Sequence, residues 1–149
     1  MKYTPIKNEL FIKNRNLLKK KMEKNSIAIF NSNDIMPTNA DGVMPFIQNS
    51  DLFWLSGIDQ EESILVVFPD NPNKKMQEIL FLKETNQHIA IWEGAKLTKK
   101  DAEKTSGIKT VFWLTNLDSK LEELFSTANT IYLNKNMHSR AASQTQTRD

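Results

Sequence analysis

Apolar and polar positions along this chain fall into blocks that read as a succession of short elements. Leu10, Phe11, Leu17, Leu18 and Met22 recur at spacings of four and seven with lysines between them, which predicts an amphipathic helix opening at Thr4-Pro5. Ser26-Ile27-Ala28-Ile29-Phe30, bounded by Asn25 and Asn31, predicts a buried strand. Ile64-Leu65-Val66-Val67-Phe68 is an unbroken apolar run of the kind buried on both faces. The turn formers Pro69-Asp70-Asn71-Pro72-Asn73 follow, and residues 79–82 supply a hairpin partner. Thr98 with Asp101 resembles a capping box and Gly107 stands where a C-terminal glycine cap belongs, so a short helix fills the interval. Residues 110–113 and 130–133 read as two further strands. Between them Leu117, Leu121, Leu124 and Phe125 mark the clearest amphipathic helix, with Asn116 as its cap. Strands alternate with helices except where the hairpin interrupts, so the fold class is α/β, a mixed β-sheet flanked by helices.

Three stretches escape this periodicity. Residues 31–45 have the turn chemistry of a long ordered loop, with two prolines and an Asp41-Gly42 turn, and loops of that length in a compact domain are commonly functional. Next comes Gln48-Asn49-Ser50-Asp51, a polar run followed at once by Leu52-Phe53-Trp54-Leu55 and closed by Ser56-Gly57. On residue chemistry this is a loop that caps itself through Asn and Asp before entering a buried strand, with core packing for Trp54 as for Trp113. The third stretch, residues 85–94, ends in Ile91-Trp92-Glu93-Gly94, where one face of Trp92 is placed to stay accessible as a binding surface.

Composition narrows the chemistry. The 149 residues, 39% hydrophobic, suffice for one domain with one sizeable core. A formal charge of +2 demands no polyanionic partner. Basic residues crowd into the first 24 positions, but no aromatic is interleaved among Lys19, Lys20 and Lys21, so they read as a solvated helix face and not a nucleic-acid site. Cysteine is absent, which excludes thiolate chemistry and fits a reducing, cytoplasmic setting, and no segment approaches the length of a membrane span. His88 and His138 are 50 residues apart and form no zinc-protease motif, and four glycines provide no phosphate-cradling loop. Asp34, Asp41, Asp51 and Asp59 read as turn formers sooner than as metal ligands. The residues by themselves describe a mixed α/β domain without catalytic machinery of its own.

The run from Gln48 to Gly57 also resembles the hallmark of the N-terminal domain of Xaa-Pro aminopeptidases (aminopeptidase P), in the creatinase and prolidase superfamily. Arg15 with the leucines of the first helix, the 26–30 strand, the 64–68 strand and Ile91-Trp92-Glu93-Gly94 follow in that family's order, so the likeness covers about residues 7–133. It implies a ribonuclease H-like domain over residues 1–133, with residues 134–149 a linker toward a C-terminal "pita-bread" catalytic domain. Catalysis and a pair of divalent metals, usually manganese, belong to that domain, so no catalytic residue, metal ligand or cofactor is expected in this chain. The implied partners are the catalytic domain, further copies in a dimer or tetramer, and a proline-containing peptide, with neither nucleic acid nor membrane. Two rim residues carry over by position: Asp41, facing the substrate's amino end or a basic residue of the catalytic domain, and Trp92, walling the substrate site. Gln48, Asn49, Asp51, Phe53 and Trp54 carry over as their support. Ile47 stands where some relatives have arginine, which removes any contact made through that side chain. The alternatives are a free-standing peptide-binding or oligomerisation module, and the corresponding domain of a prolidase or creatinase relative.

Overall fold

Five short strands build one sheet. In the computed structural model, which describes residues 5–86, 88, 91 and 94–135, they are β1 (Ser26–Asn31), β2 (Ser63–Val67), β3 (Glu78–Leu82), β4 (Thr110–Trp113) and β5 (Thr130–Leu133). Their order is β4-β3-β2-β1-β5. The inner three form an antiparallel set, with Ala28 opposite Val67 and Leu65 opposite Leu80. The outer two join in parallel, Val111 beside Leu80 and Ile131 beside Ile27. The expected hairpin, mixed sheet and five strands are therefore present.

The period of two along the strands divides the core into two layers. Leu65, Val67, Leu80 and Leu82 point to one side, where they meet Leu52, Leu55, Ile58, Ala102 and Ile108. Val66, Ile79 and Phe81 point to the other with Ile27, Ile29 and Phe68, and meet Leu124. Helices α1 (Asn8–Lys19), α2 (Ser50–Ser56) and α3 (Lys99–Ser106) cover the first face, and α4 (Leu117–Phe125) covers the second. Helix α3 is bounded as its sequence requires. Thr98 Oγ1 accepts from the Asp101 amide at 3.2 Å and donates to Asp101 Oδ2 at 2.6 Å, and Gly107 closes the helix with φ +75°.

Five local expectations are corrected. Helix α1 begins at Asn8, with Lys7 at its N-cap position and no capping side chain, while Thr4 lies outside the described residues. Its inward face is Phe11, Asn14 and Arg15, whereas Leu10 and Leu17 are exposed. Helix α4 is entered through a 3-10 turn, Leu114–Asn116, so the Asn116 side chain caps nothing. Residues 50–56 form a helix, not a strand, because Asn49 caps one end and Gly57, at φ +70°, closes the other within two turns. That geometry leaves Trp54 51% exposed instead of in the core. Trp113 is half-buried, with the Lys99 ammonium 4.6 Å from its ring centroid.

Candidate functional site

Helix α2 is too short to hold itself, so its ends are satisfied from outside. At its start Asn49 Oδ1 accepts from the amides of Asp51 at 3.0 Å and Leu52 at 3.2 Å. At its end the Phe53 carbonyl takes the last helical bond, from the C-cap, and the next two carbonyls are received by side chains of α1. Phe53 O accepts from Gly57 N at 2.7 Å, Trp54 O from Asn14 Nδ2 at 2.7 Å, and Leu55 O from Arg15 at 2.7 Å. Arg15 is fully buried, so its charge sits at the negative end of the α2 dipole. Its Nε lies 3.0 Å from Glu78, which Lys19 also contacts at 2.5 Å, so one guanidinium ties α1 to α2 and to β3. Burial pulls the Arg15 pKa down against the opposing pull of Glu78. Phe11 packs edge-on against Phe53, with centroids 6.2 Å apart.

Gln48 is the hub on the other side of the motif. Its buried Nε2 donates to Ile58 O at 3.1 Å and Gln60 O at 2.8 Å. Its Oε1 accepts from Asn49 N at 2.7 Å and Asn33 N at 3.3 Å, while Asn33 Nδ2 donates to Ile47 O at 3.0 Å. All four hydrogen-bonding positions of the amide are used. The 31–45 loop is thereby fastened to the motif and to the segment after Gly57.

A second tether continues from there. Gln60 Oε1 accepts from Leu97 N at 2.7 Å, and Glu61 pairs with Lys96. Burial pushes the Glu61 carboxyl up, but the hydrogen bond and charge of Lys96, with Lys83 beyond, outweigh it and leave the pKa lowered. The 94–97 segment is thus locked to the turn that Gln48 holds, and two loops distant in sequence share one hydrogen-bonded frame.

The proposed rim and support residues take distinct places on that frame. Gln48 and Asn49 organise it, and Phe53 packs it against α1. Asp51 is exposed in the first turn of α2 and Trp54 is half-exposed on its outer side. Asp41 is exposed in the 31–45 loop, at a turn in which Thr38 N donates to Gly42 O at 2.9 Å, with Pro37 bridged to Val43 and Ala40 at φ +52°. Trp92 lies outside the described residues; its neighbours Ile91 and Gly94 are exposed. Asn14, Arg15, Gln60 and the Glu61–Lys96 pair were not singled out as parts of the site from sequence.

Among the described residues no group of three or more His, Cys, Asp or Glu side chains converges to hold a metal, so the donors present do not fit a two-metal site. No helix among them is long and apolar enough to cross a membrane.

Comparison with known proteins places this arrangement. The family model of the aminopeptidase P N-terminal domain matches residues 11–132. A curated Xaa-Pro aminopeptidase of Escherichia coli strain K12 is 23% identical over 127 residues, which are 85% of this chain and 29% of that protein. Among solved structures, Pseudomonas aeruginosa aminopeptidase PepP superposes with a TM-score of 0.82 at 22% identity, over 93% of this chain and 31% of its own. Escherichia coli aminopeptidase P with the inhibitor Pro-Leu gives a TM-score of 0.78 at 21% identity, with the same coverage. The chain therefore spans about a third of the length of the relatives it matches.

Proposed function

Since the chain belongs to the aminopeptidase P N-terminal domain family, we propose that it is the accessory part of an Xaa-Pro aminopeptidase. In this reading the peptide bond before proline is broken on a separate C-terminal domain, which supplies the pair of divalent metals, manganese by resemblance. This chain contributes surface for a dimer or tetramer and a rim for the substrate site. It hydrolyses nothing alone.

The observation that carries the rim assignment is the frame built on Gln48 and Gln60. It fixes the loop bearing Asp41 and the segment that follows Trp92 to one short helix, as two walls of one opening require. Asp41 offers a carboxylate to the cationic amino end of a peptide, and Trp92 a flat apolar face to a proline ring.

Two assays test this. The 149-residue chain with added manganese should leave an Xaa-Pro peptide intact; cleavage would overturn the accessory role. In the complete enzyme, Trp92→Ala and Asp41→Asn should each lower kcat/KM about tenfold or more with the melting temperature unchanged. Unaltered kinetics would remove both from the rim.

A further inference from the structure

A cleft of about 1010 Å³ opens on the helical face of the sheet, between the start of α1, the end of α2, the 59–61 turn, the 95–97 segment and α3. Its apolar lining includes Ile6, Phe11, Phe53 and Leu97, with Phe11 and Phe53 in edge-on contact. Gln60 lines it as well. This residue is 5% exposed, its Oε1 is taken by the Leu97 amide, and its buried Nε2 has no hydrogen-bond partner. A buried amide donor left unpaired is destabilising, and an arriving acceptor relieves that cost. Helix α1 starts at the same cleft without a capping side chain and so offers further amide donors.

The charges define the acceptor. Lys7, Lys96 and Lys104 stand with Glu9, Asp59, Glu61 and Asp101 along the walls, Glu61 being paired to Lys96 and Asp101 to Thr98. Signs so mixed favour neither a free anion nor a cation. A neutral carbonyl attached to an apolar body suits the unpaired donor and the phenylalanines together. The size matches several residues of peptide.

We propose that this cleft binds an extended, apolar peptide segment whose backbone carbonyl accepts from Gln60 Nε2. The proposal rests on the accessory-domain reading, and it adds a site for the distal part of the substrate, beyond the proline. Ala95 in the cleft wall is three residues along the chain from Trp92.

The test is an NMR titration of the 149-residue chain with the pentapeptide Ala-Pro-Phe-Leu-Ala. Saturable shifts are expected at the Gln60 side-chain amide and the Leu97 amide. Gln60→Glu keeps an acceptor for Leu97 but loses the Nε2 donor, and should bind about tenfold more weakly. Phe53→Leu, which retains apolar bulk but not the ring, should weaken binding severalfold. Leu17→Ala, in a separate groove on α1, should bind like the parent. Equal affinity in Gln60→Glu and Phe53→Leu, shifts confined to other regions, or no saturable binding would overturn the proposal. No hydrolysis is read, so a failed titration leaves the accessory role standing, and failure of that role would appear in the peptidase assays.

Discussion

Arg15 and Gly57 show how much one position can decide. Replacing Arg15 by Ala strands the Leu55 carbonyl and leaves Glu78 with Lys19 alone, and removing one member of such a buried pair costs about 3 kcal/mol. Urea unfolding should register that loss, and Arg15→Lys should recover only part of it, because an ammonium cannot serve both partners with a planar fork. Gly57 adopts φ +70°, and a Cβ there would fall 2.3 Å from Phe11 Cε2. Gly57→Ala should therefore lose about 2 kcal/mol or more, read as a fall of several degrees in melting temperature. Part of this was legible in the sequence. Asn14 and Arg15 sit three and four positions after Phe11 and four and three before Leu18, which puts them on the same helix face. A count of apolar residues alone skips them and promotes Leu10 and Leu17, which face solvent. Polar residues on a buried face have partners remote in sequence, and those partners are what a linear reading lacks.

At the scale of elements, legibility followed how local the determinants were. Helix α3 was readable because its cap and its glycine are neighbours in sequence, and β2 with β3 because two apolar runs flank a proline-rich turn. Helix α2 was not, because four apolar residues after a polar run suit a strand as well as a helix. What decides is a side-chain cap combined with carbonyls received by another helix. The 31–45 loop was recognisable as ordered, but its anchor, a single glutamine bonded to Asn33, Ile58 and Gln60, was visible only in three dimensions. The 94–97 segment depends partly on an ion pair, which makes it pH-sensitive. The Glu61 pKa is lowered on folding, so the pair stabilises the native state above the unfolded value near 4.5, and this is lost as pH falls through the depressed folded value. The gap in urea midpoint between the parent and Glu61→Gln should be constant near neutrality and close below about pH 4.5. A gap independent of pH would show that the contact acts through packing instead of charge.

Among the described residues the sheet is open, with β4 and β5 at its edges. Strand β5 is the more exposed, with Ile131 at 47% and Leu133 at 67%, and an apolar edge with unpaired backbone groups invites a further strand or another chain. Leu133→Lys should reduce self-association of the chain in sedimentation velocity at high concentration without lowering its melting temperature; unchanged association would place the contact elsewhere. The same sheet order also sets a sequence of assembly. The β2–β3 hairpin closes a short turn, whereas β1 reaches β2 only across the long loop and reaches β5 from roughly a hundred residues away, so loop-closure entropy delays those pairings. During synthesis Ile27 must wait for Ile131 to leave the ribosome. Until then β1 is itself an open edge, and the nascent chain is most vulnerable to mispairing over the interval in which α3, β4 and α4 are being made.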